Sequence, residues 1–286
     1  VQGFGKIAGE TAMTNRTIDT GTDDLKAAVE GGVATLTMAR PERRNALSPA
    51  MLQALGKTLE LCESDPDVGV VVLTGAGGAF CAGGDVKGMN ERNADGPLPD
   101  IDTRIHAQRL SQRATAGRLY KMPKPTIAAL PGAAAGAGLA LALACDLRIA
   151  SESAVMTTAF ARVGFSGDYG GTYFLTRLVG TAKARELYFL SEKVDMKEAL
   201  RLGLVNWVVP ADQLEKKTLE IAHRLAAGPR VAYRYMKENL NRAATAEWDE
   251  CLDLEATHHI HTGQTEDHKE AARAFVEKRE PAFKGR

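Results

Sequence analysis

An α/β fold is predicted by three features of this sequence. Two short runs, Val68-Gly69-Val70-Val71-Val72-Leu73-Thr74 and Thr126-Ile127-Ala128-Ala129-Leu130, carry no charged residue and read as strands buried on both faces. Each is closed by a glycine-containing turn, Gly75-Ala76-Gly77-Gly78 and Pro131-Gly132. Helical stretches separate the strands until about Pro210, after which helices alone follow. The expected organisation is a leader over 1–22, an α/β core over 23–210 and a helical carboxy-terminal subdomain over 211–286.

The elements follow in order. The leader has neither an apolar signal core nor an amphipathic period and is read as poorly ordered, with Met13 as a candidate start. Leu25 to Ala39 reads as a hairpin turning at Glu30-Gly31-Gly32, with 33–38 as its second strand. Ser48 opens an amphipathic helix that runs through Cys62, because a serine oxygen accepts from the first free amides of a helix. Leu139 to Ala144 is a short apolar helix, 146–150 and 154–157 are short strands, and Thr172 to Leu178 suggests a further helix. Lys216–Ala227 and Val231–Ala244 are helices separated by Gly228-Pro229, and Glu247 to Arg279 holds one or two more.

Lys plus Arg equals Asp plus Glu at 36 each, so no charge excess points to nucleic acid or an acidic membrane surface. Thr126 to Ala144 approaches the length of a membrane span, but Pro131 and its many small residues fit a strand, turn and helix better. Cys62, Cys81, Cys145 and Cys251 show no C-x-x-C spacing; free thiols in a reducing cytoplasm are expected. His258-His259-x-His261 does not place its three rings on one helix face, and a solvated helix surface is expected rather than a metal site.

Asp168 stands apart. Between Asp102 and Glu186 the only other carboxylates are Asp146 and Glu152, and Asp168 lies in Gly164-Phe165-Ser166-Gly167-Asp168-Tyr169-Gly170-Gly171. This setting suits a catalytic acid or base, and the local sequence alone favours a cap for the helix at Thr172. Two other turns, Phe80-Cys81-Ala82-Gly83-Gly84-Asp85 and Pro131-Gly132-Ala133-Ala134-Ala135-Gly136-Ala137-Gly138, each follow a buried strand and lead toward a helix. Free amides at such a helix start can hold an anion, and two converging turns would make an oxyanion hole. Tight strand-to-helix packing explains either turn alone. Neither matches a P-loop or a dinucleotide fingerprint.

Arg40-Pro41-Glu42-Arg43-Arg44-Asn45-Ala46-Leu47, the Phe80–Asp85 turn, the Pro131–Asp146 block and Glu277-Lys278-Arg279-Glu280-Pro281-Ala282-Phe283 together resemble the crotonase family, also called the enoyl-CoA hydratase/isomerase family. The resemblance runs from about Leu25 to Arg286 in the expected order. It implies a crotonase-like spiral of ββα units with a helical C-terminal region, assembled as a homotrimer or a dimer of trimers. It also implies an acyl-CoA substrate, no cofactor beyond the coenzyme A of that substrate, and no metal. Gly84 and Ala137 fall at the two positions whose amides hold the thioester oxygen. Arg43, Arg44, Ala46 and Ala82 fall in segments lining the CoA site, and Lys278 matches a carboxy-terminal lysine that approaches CoA. Arg43 or Arg44 would pair with phosphate, while one of the two is expected to be an ordinary solvated residue.

The family's hydratases use two glutamates, and their places are taken here by Ala140 and Phe160. A methyl group and a phenyl ring cannot divide the work of activating water and delivering a proton. Asp168 instead aligns with the acid of the family's double-bond isomerases, preceded as there by Val163-Gly164. One carboxylate suffices to move a double bond, and burial beside Phe160, Phe165 and Tyr169 would raise its pKa. Phe160 and Tyr169 are candidate acyl-pocket residues. Three other readings stay open: a hydratase; a dehalogenase or carbon–carbon hydrolase using Asp168, for which His106 is a poor match to the helper histidine; and a non-catalytic acyl-CoA-binding relative. RNA binding, reported for some relatives, finds no basic-aromatic stripe here. The acyl group would be selected by the segment 90–115, in which Asp95 to Pro99 reads as a mobile loop.

Overall fold

Strands β1 (Arg16–Ile18), β2 (Leu25–Glu30) and β3 (Val33–Met38) form an antiparallel meander, with Glu30 opposite Val33 across the glycine turn. From β3 the sheet continues parallel through β4 (Val70–Gly75), β5 (Thr126–Leu130), β7 (Leu147–Ser151) and β10 (Trp207–Val209). The spatial order β1-β2-β3-β4-β5-β7-β10 follows the sequence, leaving out three short strands. Those three, β6 (Ala134–Ala135), β8 (Val155–Thr157) and β9 (Val194–Asp195), make a second small sheet. The computed structural model describes residues 15–88 and 99–286.

The chain repeats one turn. A long strand of the main sheet passes to a short strand of the second sheet and then into a helix. Strand β5 leads through β6 to α4 (Ala137–Ala144), and β7 leads through β8 toward α5 (Gly171–Leu190). Strand β4 does the same with a single bridge, Cys81 beside Ala134, in place of a second strand. Side chains of the parallel strands alternate between two apolar layers. Val71 and Leu73 join the large core that also buries Leu55, Leu59, Phe80, Leu119 and Leu141, whereas Val70 and Val72 meet the other layer. The β-branched runs are therefore apolar throughout because both faces are covered.

Further helices flank the sheet. The first, α1 (Pro49–Ser64), is capped by Ser48, whose Oγ accepts from the Met51 amide at 3.0 Å. The second and third, α2 (Ile101–Ala114) and α3 (Ala116–Lys121), were not legible in the sequence. No residue of α2 is buried, so no apolar stripe marks it. The short α6 (Met196–Arg201) starts at Asp195, whose carboxylate accepts from the Glu198 amide at 2.8 Å. The carboxy-terminal region contains α7 (Leu214–Ala226), α8 (Arg230–Ala243), α9 (Trp248–Thr262) and α10 (Glu266–Glu277).

Two expected boundaries shift. Arg16–Ile18, read as leader, is an edge strand paired with β2 and tied to the core by an Arg16–Asp65 ion pair. Helix α7 buries Leu214, Ala222 and Ala226 against Val33, Val70, Val72 and Ile127, so it covers one face of the main sheet and is part of the core. The remainder of the leader, residues 1–14, and positions 90–98 of the segment 90–115, with all but the last residue of the loop read at Asp95 to Pro99, lie outside the described residues.

Candidate active site

Gly84, Ala137 and Asp168 lie on three successive turns of the fold. Gly84 follows the first bridge of the second sheet, Ala137 follows β6 and Asp168 precedes α5. Parallel stacking of β4, β5 and β7 places these turns side by side at one end of the sheet.

The first two turns are laced by backbone bonds. Cys81 donates to Ala133 O at 3.1 Å and Ala135 donates back to Cys81 O at 2.9 Å. A methyl group at Gly83 would fall 2.8 Å from Ala135 O and 3.3 Å from the Ala137 nitrogen, so only glycine allows this approach. Gly136, the residue before α4, sits at φ 52°, ψ −125°, and turns the chain so that α4 begins at Ala137. The amides of Gly84 and Ala137 are not donors in any backbone hydrogen bond of these turns. At a helix start the amide points outward with the positive end of the dipole behind it.

Arg40 and Asp85 hold the first turn in place. Arg40 donates to Ala46 O at 2.7 Å and to Asp85 Oδ2 at 3.1 Å, while Asp85 Oδ1 accepts from the Gly88 amide at 3.0 Å. The Gly88 bond, then Arg40, hold the Asp85 carboxyl below its usual pKa. Asn45, fully buried at φ 56°, donates to Ala76 O and Ala79 O at 2.8 Å each and accepts from the Arg40 amide at 2.9 Å. It fastens the exit of β3 to the exit of β4. Asn45 stands in the motif without a role there, since two of its three bonds go to backbone carbonyls 31 and 34 residues away and leave no local mark.

Asp168 does not cap α5. Gly170 occupies that position, no side chain caps the helix, and Asp168 meets it only through its backbone carbonyl, which accepts from Gly171 at 3.0 Å. Its carboxylate is free of this task. The Oδ1 atom is buried with no hydrogen-bond partner among the described residues, and burial pushes the carboxyl from 3.8 up to about 6. The adjoining Tyr169, buried at φ 49°, is held from α2: its amide donates to Gln112 Oε1 at 2.8 Å and its hydroxyl lies 3.1 Å from Ser111 Oγ. Tyr169 therefore anchors the Asp168 turn, and its hydroxyl is already partnered. Phe160 is buried, stacks on Tyr188 at 5.8 Å, and has its ring edge beside Gly136.

The proposed CoA residues divide. Arg43 is half-buried, Arg44 and Ala82 are exposed, and Arg44 is joined to the Gly84 turn by the Ala82 amide donating to its carbonyl at 3.0 Å. Ala46 is buried, and its carbonyl is taken by Arg40. Lys278 is exposed at the end of α10 and forms no hydrogen bond or ion pair with the Gly84 and Ala137 turns among the described residues.

Other candidates resolve simply. His258 is a correction: it is buried, packs its ring at a tilt against Tyr235 with centroids 4.2 Å apart and bonds Asn239 Oδ1 at 2.5 Å, so only part of the histidine cluster is solvated. Among the described residues no three His, Cys, Asp or Glu side chains are arranged to hold a metal ion, and no helix is long and apolar enough to cross a membrane. Burial pushes the Cys81 and Cys145 thiols up to about 12, which makes them inert. Asp146 anchors backbone, accepting from the Thr126 amide at 2.7 Å.

Two turns held together by backbone bonds, each leaving a backbone amide without a backbone acceptor among the described residues, form a candidate anion-binding site of an enzyme. The profile of the enoyl-CoA hydratase/isomerase family matches residues 28–286. The chain belongs to that family, and its fold is the crotonase fold. It is 38% identical over 260 residues to the 1,2-epoxyphenylacetyl-CoA isomerase of Escherichia coli, an alignment covering 90% of this chain and 97% of that one. It is 37% identical over 259 residues to the short-chain-enoyl-CoA hydratase of Clostridium acetobutylicum, covering 90% and 96%. The crystal structure of the enoyl-CoA hydratase from Bacillus anthracis superposes with a TM-score of 0.84 at 33% identity, covering 92% of this chain and all of that one. That of an enoyl-CoA hydratase from Polaromonas sp. JS666 gives 0.82 at 34%, covering 91% and 99%.

Proposed function

We propose that this enzyme acts on an acyl-CoA thioester and shifts a carbon–carbon double bond through an enolate. The Gly84 and Ala137 amides bind the thioester oxygen and stabilise the negative charge that forms there when a proton leaves carbon. Asp168 takes that proton from one carbon and returns it two carbons away. The step balances within the substrate, with no water consumed and no cofactor called upon beyond the CoA already attached. Arg43 or Arg44 meets the CoA phosphates, and the chains assemble as trimers or dimers of trimers.

The observation that carries this reading is the buried, unpartnered Oδ1 of Asp168 in a region where positions 140 and 160 hold Ala and Phe. A carboxyl with its pKa raised to about 6 is ionised at neutral pH and is a stronger base than a solvated one. Hydration is the second reading, favoured by the hydratase named among the relatives. Incubation with a 3-enoyl-CoA and, separately, a 2-enoyl-CoA tests the two. Double-bond migration without added water is expected, and hydration of the 2-enoyl-CoA without migration would exclude the proposal.

A further inference from the structure

One polar group beside Asp168 has no task in that chemistry. Helix α5 is broken at Gly180 (φ 76°, ψ 166°), and its second half folds back so that the Tyr188 ring lies nearly parallel to Phe160, with 13° between the planes. A methyl carbon added at Gly171 would fall 2.6 Å from the Tyr188 hydroxyl oxygen and 3.4 Å from the Ala140 methyl. A methyl at Gly167 would fall 3.0 Å from the edge of the same ring. The phenol thus sits against bare glycine backbone on both sides of Asp168 in the chain. It also adjoins both positions, 140 and 160, at which carboxylates are lacking.

This hydroxyl forms no hydrogen bond among the described residues. The neighbouring tyrosines differ: Tyr169 pairs with Ser111, and the Tyr173 hydroxyl lies 3.2 Å from that of Tyr120. Burial first, and the Asp168 charge second, push the Tyr188 pKa upward, so the phenol remains a protonated donor. Asp168 Oδ1 is itself unpartnered, so the two groups interact through space without bonding each other.

A ligand between them has to answer both. Asp168 must stay free to reach a carbon-bound proton, and the thioester oxygen is taken by the two amides. A hydrocarbon chain would remove water from the phenol and offer it no acceptor, which is unfavourable for any buried donor. The missing acceptor therefore belongs on the acyl chain itself. We propose that Tyr188 is a specificity-determining residue that donates a hydrogen bond to an oxygen on the acyl chain, so that oxygenated acyl-CoA thioesters are bound in preference to plain alkenoyl-CoAs. The inference rests on the proposed placement of the thioester at Gly84 and Ala137.

Equilibrium binding separates this claim from the proton-transfer claim, because saturated ligands need no turnover. Hexanoyl-CoA is compared by calorimetry with hydroxyhexanoyl-CoAs bearing the hydroxyl on the third, fourth or fifth carbon, using wild type and Tyr188→Phe. The variant retains the ring that stacks on Phe160 and is checked for unchanged folding by circular dichroism. At least one hydroxylated ligand should bind wild type about tenfold more tightly than hexanoyl-CoA, and Tyr188→Phe should reduce that preference to about twofold or less. Hexanoyl-CoA affinity should be unchanged or improved in the variant. Absence of any preference in wild type, survival of the preference in Tyr188→Phe, or an equal loss for all ligands would overturn the assignment. Loss of isomerisation in Asp168→Asn answers the other question, and either result can stand without the other.

Discussion

At Asp168 stability and reactivity pull in opposite directions. An ionised carboxylate buried without a partner destabilises the folded state, and the rise from 3.8 to about 6 corresponds to roughly 3 kcal/mol at one unit per 1.4 kcal/mol. The folded pKa is above the unfolded one, so the protonated group is tolerated fully below about pH 4, and stability is lost as pH rises through about 6. Asp168→Asn removes the charge and should stabilise the protein by about 2–3 kcal/mol at pH 8 and by almost nothing at pH 4, measured by urea unfolding at both values. Equal effects at the two pH values would show that Asp168 is not a strained ionised group. Its isolation among apolar residues was legible in the sequence, but its freedom from capping was not, because Asp and Gly170 compete for the same helix start. Tyr188 was not legible at all: in a helix it looks like any packed aromatic, and only the fold carries it back to Gly167 and Gly171.

Single elements place the reacting groups through contacts that are remote in sequence. The Gly84 turn is held by Arg40 from the end of β3, a pair with side chains 15% and 10% exposed. Asp85→Asn keeps an acceptor for the Gly88 amide but weakens the tie to Arg40. It should lower the isomerisation kcat at least tenfold with a smaller change in KM, since small misplacements of an oxyanion donor are costly. Steady-state kinetics with kcat unchanged would remove Arg40 and Asp85 from the positioning role. On α8, the Lys237 ammonium donates to Asp146 Oδ2 at 2.8 Å and to the carbonyls of Leu119 and Lys124 at 2.9 and 3.1 Å. Replacing this buried lysine by Met leaves those acceptors short of a donor and should destabilise the chain by about 3 kcal/mol in denaturant titration. A loss below about 1 kcal/mol would mean that water replaces the ammonium freely.

For the whole molecule, the strongest sequence signals were those that repeat in every turn: buried β-branched strands, a glycine turn, and a helix start. The hairpin, β4, β5 and the helix opened by Ser48 were readable because each has a local period or a cap. Strands β1, β6, β9 and β10 are two or three residues long, too short for a period, and exist because neighbouring strands offer them an edge. Helix α2 lacks a buried face in the single chain. Large apolar side chains also stand exposed on the helical region, among them Leu240, Trp248, Phe275 and Val276 at 72–85%. Such a surface is expected to be covered by further copies of this chain. Light scattering should give a mass three or six times the 30.6 kDa of one chain, and a monomer would contradict the trimer.

In the proposed reaction Asp168 carries the proton. The most direct test of this role is the rate at which Asp168→Asn converts a 3-enoyl-CoA to the 2-enoyl-CoA, beside wild type under saturating substrate. Removal of a single acid–base group should slow the reaction between about 10² and 10⁴-fold while the variant still binds the thioester. Conversion by Asp168→Asn within a few-fold of the wild-type rate would show that another group carries the proton.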